Sequence, residues 1–143
     1  GEMTEETAQK IRAMNSIAND LERIGDLFYQ MSKEIERKDE RKIYFMPEQR
    51  ESLLDMFKLV DNAFEIMIDN LNANWDGVLI DPALDAERAI NLKRDKMRKE
   101  HLENLGKKNF NMEAGMSFSN LFATCEKVGD HIINVSEAVT GQI

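Results

Sequence analysis

The feature that most constrains the fold of this chain is the spacing of its apolar residues, which recur at steps of three and four over long stretches. This spacing repeats about once per turn of an α-helix and gathers the apolar side chains on one face. In the first stretch the apolar positions are Ile11, Met14, Ile17, Ala18, Leu21, Ile24, Phe28, Met31 and Ile35. Such stripes predict amphipathic helices that pack against each other in a bundle.

Helix boundaries follow from the residues that interrupt these stretches. Pro47 suits the first turn of a helix, and Asp81 before Pro82 is typical of an N-cap followed by the first helical residue. Gly106 is typical of the residue that follows the last turn of a helix, so the third helix is expected to end there. The helices are predicted at residues 2–38, 47–75, 82–105 and 112–140. We therefore expect an all-α fold, a single domain over residues 1–143 built as an up-and-down bundle of about four long helices.

Composition narrows the classes of function. The net charge of −8 and the pI near 4.8 argue against nucleic-acid binding, which needs a basic face, and make small cations the more natural partners. The single cysteine, Cys125, lies among apolar residues at helical spacing, so we expect a buried thiol and a reducing compartment. We expect neither a signal peptide nor a membrane span in this stretch, since no apolar run reaches eighteen residues. Gly1 resembles the remnant of a cleaved tag, which suggests a longer natural protein.

The chain carries an internal repeat in its first and last predicted helices. Residues 20–26 read Asp-Leu-Glu-Arg-Ile-Gly-Asp, and residues 124–130 read Thr-Cys-Glu-Lys-Val-Gly-Asp. An acid, a base, an aliphatic residue, a glycine and a second acid match in order. The flanks agree as well, with four apolar pairs expected on the core side: Ile17 with Leu121, Ala18 with Phe122, Ile24 with Val128, and Phe28 with Ile132. We interpret this as a repeated helix.

Each copy of the repeat places a glutamate and an aspartate four residues apart, one turn along the same side of a helix. The four candidate metal ligands are Glu22, Asp26, Glu126 and Asp130. Like charges at this spacing cost a few tenths of a kcal/mol, and a glycine inside a helix costs about 1 kcal/mol relative to alanine. Either a bound cation with oxygen ligands or salt bridges from Arg23 and Lys127 would offset these costs, and the sequence leaves both readings open.

Asparagine and histidine side chains also lie in or near the repeat. Asn15 and Asn19 continue the acidic side of the first copy, where their carbonyls could serve as metal ligands or as hydrogen-bond partners of ligands. Solvated side chains are the alternative. His131 points away from the acidic side of its helix, and His101 lies in the charged third helix, so we expect both histidines at the surface.

These motifs resemble a known family. The stretches LERIGD at residues 21–26 and CEKVGDH at residues 125–131 are similar to the repeated acidic motif of PhoU domains, helical proteins associated with phosphate uptake and its regulation. The fold of that family is two three-helix repeats, with the motif on the third helix of each. Residues 2–38 then resemble the last helix of the first repeat, and residues 47–140 the complete second repeat. A shortened form of this kind is similar to the cytoplasmic C-terminal region of bacterial sodium/phosphate cotransporters.

The resemblance implies that the four carboxylates correspond to residues that bind multinuclear metal clusters in some members, with Mg, Mn, Fe, Zn or Ca as candidate ions. The middle helix of a repeat in that family often adds a further acid. At the expected place this sequence has Arg98, with Asp95 one turn earlier. An arginine in place of this acid weakens the expectation of a full metal cluster. The four carboxylates could then bind a single ion, or bind no ion and form a structural salt-bridge network.

We therefore expect a non-catalytic, metal-binding regulatory domain of a sodium-dependent phosphate cotransporter at the cytoplasmic face of the inner membrane. Its partner would be the membrane-embedded part of the same chain; homo-oligomers are left open, and acidic lipid headgroups could meet the basic stretch from Arg88 to Lys99. A standalone soluble phosphate-uptake regulator and a purely structural helical module are the alternatives. A di-iron oxidase is disfavoured because neither histidine has a glutamate three residues before it.

Overall fold

A computed structural model of the protein describes residues 4–141, which form four α-helices and one short 3-10 turn. The helices are α1 (Glu5–Glu40), α2 (Pro47–Asn72), α3 (Asp81–Leu105) and α4 (Met112–Thr140), and the turn is Trp75–Gly77. The predicted all-α bundle of four long helices is confirmed. Among the described helices none is long and apolar enough to cross a membrane.

Most helix boundaries lie within three residues of the predicted ones. α1 continues to Glu40, and the part of its predicted start at residues 2–3 lies outside the described residues. α2 ends at Asn72, and Trp75 begins the 3-10 turn instead of closing the helix. α3 begins at Asp81, so Pro82 is its second residue. Proline is tolerated there because the first turn of a helix has no acceptor for its missing N–H.

The fourth helix is the centre of the molecule. α4 packs against α1 on one side and against the α2–α3 pair on the other, and α1 contacts α2 only sparsely. The α1–α4 pair is antiparallel, since Asp20 contacts His131 whereas Glu34 contacts Asn120. The predicted buried stripe of α4 is confirmed in full: Phe118, Leu121, Phe122, Cys125, Val128, Ile132 and Val139. Burial raises the pKa of the Cys125 thiol to about 12, which fits a structural cysteine.

Only three of the nine residues in the stripe predicted for α1 are buried: Ile17, Ile24 and Met31. The other six are exposed: Ile11, Met14, Ala18, Leu21, Phe28 and Ile35. The prediction did not include the remaining buried residues of α1, which are Ala13, Asp20 and Leu27. Of the four flanking pairs, two are buried in both helices, but Ala18 and Phe28 are exposed where Phe122 and Ile132 are buried. The prediction was wrong there because two stripes of helical spacing lie side by side on α1, and α4 covers one of them.

Candidate metal-binding site

The copy of the repeat on α4 lies where α3 approaches α4 closely. A Cβ atom added at Gly129 would stand 3.3 Å from Cδ1 and 3.4 Å from Cγ2 of Ile90, a fully buried residue of α3. A glycine here lets the two helix backbones come together. Glu126 lies three residues before Gly129 and Asp130 directly follows it. The close approach therefore brings both acids near side chains on α3.

Glu126 forms a salt bridge to Arg94 of α3, whose Nη1 donates to Oε2 of the carboxylate. Arg94 also donates from Nε to Asp95 at 2.8 Å. Burial alone would lower the pKa of Arg94, but these hydrogen bonds outweigh burial and raise the pKa above its ordinary value. The cation that α3 presents is therefore Arg94. Arg98, the residue expected at this place, is exposed.

Asp130 belongs to a group of acids that the sequence did not reveal. Partial burial, followed by the charge of Glu126, raises the pKa of Asp130. Glu87 of α3 also has a raised pKa, from partial burial and then from the charges of Asp130 and Glu137, although a hydrogen bond with Asn91 opposes the rise. The charges of Asp130 and Glu137 thus act on Glu87, and the charge of Glu126 acts on Asp130, where α3 and α4 meet. We call Glu87, Glu126, Asp130 and Glu137 the α3–α4 acidic cluster.

The copy of the repeat on α1 has open surroundings. Glu22, Asp26 and Asn19 are all exposed, and a Cβ added at Gly25 would meet nothing within 4 Å. Asp26 lines a groove of about 320 Å³ between α1 and α4 that Asp130 also lines. The other residues along this groove are Arg23, Leu27, Gln30, Lys127 and His131. Two carboxylates therefore share the groove with two permanent cations, and the groove has little net charge to attract an ion.

The structure brings together part of the predicted set of ligands. Asp26 and Asp130 line one groove, whereas Glu126 is turned toward α3, and Glu22 and Asn19 do not line that groove. Between residues 4 and 141, no three His, Cys, Asp or Glu side chains are placed as a ready set of metal ligands. The salt bridges in the same range include neither Arg23 nor Lys127. A cation at the acidic cluster would require Glu126 to leave Arg94.

Both histidines were predicted to lie at the surface, and both are partly buried in contacts with other side chains. His131 bridges α4 to α1, with Nδ1 2.8 Å from Oδ1 of Asp20, an acid that is only 6% exposed. Nδ2 of Asn134 donates to the same oxygen at 3.3 Å. His101 is half-buried against the rings of Phe110, Phe118 and Phe122, and burial lowers its pKa. The clue for Asp20 was its position at core spacing between Ile17 and Ile24.

Comparisons with protein-family models, with curated proteins and with solved structures find no match to this chain.

Proposed function

We propose that this chain is a non-catalytic, metal-binding regulatory domain of the PhoU type, belonging to a sodium-dependent phosphate cotransporter. The observation that carries the metal site is the α3–α4 acidic cluster, where burial and neighbouring carboxylates raise the pKa of Asp130 on α4 and of Glu87 on α3, while Arg94 of α3 pairs with Glu126. The resemblance of the repeated motif supports the role in phosphate transport. A second, weaker metal position is proposed on α1, with the predicted ligands Glu22, Asp26 and Asn19.

The chemistry of the cluster suits a hard cation. Carboxylate oxygens and the amide oxygen of Asn91 are ligands that Mg²⁺, Mn²⁺ and Ca²⁺ prefer, and no thiol or imidazole favours Zn²⁺ among the cluster residues. A cation there would lower the repulsion that Asp130 and Glu87 experience. It would also take the place of Arg94 as the counter-charge of Glu126.

This exchange gives the domain two forms, one held by Arg94 and one held by an ion. Both forms connect α3 to α4, but Arg94 is paired with Glu126 and Asp95 in the first form and with Asp95 alone in the second. A ligand shifts such an equilibrium only by its difference in affinity for the two forms. We infer that ion occupancy changes the face of α3 that is offered to the membrane-embedded part of the transporter.

The metal site is tested by thermal unfolding with and without Mn²⁺ or Mg²⁺. The wild-type protein should gain stability, by about 2.7 kcal/mol when the ion is at a hundred times its dissociation constant. Asp130→Asn and Glu87→Gln should lose most of this gain. Glu65→Gln, at an exposed acid of α2, is the control and should keep it. An equal gain in all four proteins, or none in any, would contradict a site at the cluster.

The salt bridge between Arg94 and Glu126 favours a second candidate, a purely structural helical module in which Arg94 is the permanent partner. Arg94→Met separates the two candidates. If the cluster binds an ion, this variant should be less stable than wild type without metal, and should bind Mn²⁺ about tenfold more tightly because Glu126 is free. A purely structural pair predicts the loss of stability with no response to metal. Arg98→Met, at an exposed arginine of α3, is the control.

The transport role is tested in the full-length protein. Apolar spans encoded upstream of this stretch would favour the cotransporter, and their absence would favour a standalone regulator. Asp130→Asn in the full-length transporter should change sodium-dependent phosphate uptake at an unchanged amount of protein in the membrane. Uptake identical to wild type would argue against regulation through this cluster.

The basic side of α3 offers a separate contact with the membrane. Lys96, Arg98 and Lys99 are exposed there, and anionic headgroups attract such groups over about one Debye length. Co-sedimentation with vesicles should rise when phosphatidylserine is added to phosphatidylcholine. An unchanged fraction of co-sedimented protein after phosphatidylserine is added would rule out this contact.

A further inference from the structure

A row of apolar and small residues on α1 is only partly covered by the rest of the bundle. Its members are Ile11, Met14, Ala18, Leu21, Gly25, Phe28, Ser32 and Ile35, and we call it the α1 stripe. The large side chains in it are between 37% and 55% exposed. The ring of Phe28 lies 6.1 Å from the ring of Phe64 on α2, measured between their centroids. A row of this length with so much apolar surface is a typical protein–protein contact.

The stripe alternates between small and large residues in a seven-residue rhythm. Ala18, Gly25 and Ser32 fall at one heptad position together with Ile11, the one large residue there, and Met14, Leu21, Phe28 and Ile35 fall at the other. In an antiparallel pair of helices, residues of one position lie opposite residues of the other position. Two copies of α1 turned about a two-fold axis would therefore place a large residue opposite each small one. The layers are Ile11 with Ile35, Met14 with Ser32, Ala18 with Phe28, and Leu21 with Gly25.

The surface of α1 has open space at the two places where this pairing requires it, at Gly25 and beside Ile35. Nothing lies within 4 Å of a Cβ at Gly25, so the site is open to Leu21 of a second copy. Next to Ile35 is an apolar groove of about 240 Å³, lined in part by Leu54 and Phe57 of α2. In the same register Ile11 of the second copy would enter this groove.

We propose that this chain forms a two-fold symmetric dimer in which the α1 stripe packs antiparallel against the α1 stripe of a second copy. The interface also covers Leu54 and Ile68 of α2, which are 54% and 38% exposed. Covering the exposed parts of all these side chains in both copies removes on the order of 1,200 Å² from water, the lower end of the range for stable interfaces. This inference does not depend on the metal site or on the transport role.

The charges beside the stripe neither fix nor forbid this arrangement. Arg12 of each copy comes within one helical turn of Glu36 of the second copy, which is favourable, and the two Glu22 side chains come within one turn of each other near the axis, which is not. Exposed pairs of this kind contribute well under about 1 kcal/mol each. The apolar layers therefore decide the association, and its dissociation constant should change little between low and high salt.

Sedimentation equilibrium of the whole chain tests the dimer. The wild-type protein should approach twice its monomer mass of 16.5 kDa as its concentration rises. Gly25→Leu fills the hollow in both copies and should weaken the dimer by about a hundredfold or more. It should still fold, because the site is open in the single chain, and circular dichroism checks this. Leu21→Ala combined with Gly25→Leu exchanges large for small across the same layer and should restore most of the association.

The control for these variants is Leu92→Ala, at an exposed leucine of α3 that lies outside the stripe and should leave the dimer unchanged. A wild-type chain that remains monomeric at high micromolar concentration would overturn the proposal, as would a Gly25→Leu variant that associates as well as wild type. Failure to recover association in the double variant would overturn the register.

Cysteine cross-linking tests the register directly. Met14→Cys together with Ser32→Cys should give a covalent dimer under mild oxidation, because each new cysteine lies opposite the other position of the second copy. The two positions are about 27 Å apart along one helix, too far for a bridge within a chain. Cys125 is buried and does not compete. Met14→Cys alone is the control and should stay monomeric under denaturing conditions. Equal cross-linking of the control would contradict an antiparallel register.

Discussion

The same motif occurs twice in this protein and has two different sets of neighbours. On α4, Gly129 lies against Ile90, Glu126 is paired with Arg94, and Asp130 shares the groove of α3 with other acids. On α1, a Cβ at Gly25 would meet nothing within 4 Å, and the acids beside it are exposed. The comparison teaches that both copies of the motif supply the same carboxylates, whereas the contacts of those carboxylates depend on the neighbouring helix, which offers Arg94 to Glu126 and, within residues 4–141, offers no partner of this kind to Glu22.

The largest expected difference between the two copies is at their glycines. Gly129→Leu should lower the free energy of unfolding by about 1–3 kcal/mol, because the new side chain collides with Ile90 at the α3–α4 contact. Gly25→Leu should leave it unchanged or raise it by up to about 1 kcal/mol, because leucine favours the helix and meets no neighbour there. Urea unfolding at low micromolar concentration measures both. Equal effects at the two sites would contradict the difference in packing.

A smaller difference is expected at the two glutamates. Glu126→Gln weakens a charged hydrogen bond to Arg94, whose side chain is only 16% exposed, and should cost about 1–2 kcal/mol. Glu22→Gln, on the exposed side of α1, should change the stability by less than about 0.5 kcal/mol. Both are measured in the absence of divalent ions. A cost at Glu22 as large as the cost at Glu126 would mean that the α1 copy has a partner of equal strength.

The smallest expected difference concerns the pH dependence of the aspartates. Folding raises the pKa of Asp130, so the folded state is penalised when this carboxyl ionises, and the penalty grows as the pH rises above the unfolded value of 3.8. Asp130→Asn should therefore raise the free energy of unfolding at pH 7 by at most a few tenths of a kcal/mol, because it removes a charge disfavoured first by burial and then by Glu126, and solvent screens this exposed group; no gain is expected below pH 3.8. Asp26→Asn is the matched control. A gain at Asp130 that persists at low pH would exclude ionisation as its cause.

The sequence predicts the helices well because an amphipathic period is a local property. Each residue of the α4 stripe is buried as predicted, since α4 has neighbours around most of its circumference. The period cannot tell which of two adjacent stripes a neighbour covers, so Ala18 and Phe28 were predicted to be buried on α1 and are exposed. Glu87 was missed because it joins the site through the register of α3 against α4. That register depends on the contact between Ile90 and Gly129, which links distant parts of the chain.

The central claim is that the copy of the motif on α4 binds a divalent cation through its contact with α3. Calorimetric titration with Mn²⁺ of the wild-type protein, Asp26→Asn and Asp130→Asn tests it most directly. We predict that Asp26→Asn binds Mn²⁺ with nearly the affinity of wild type, and that Asp130→Asn binds at least about tenfold more weakly, a change of about 1.4 kcal/mol. Equal binding by both variants, or a larger loss in Asp26→Asn, would contradict the claim.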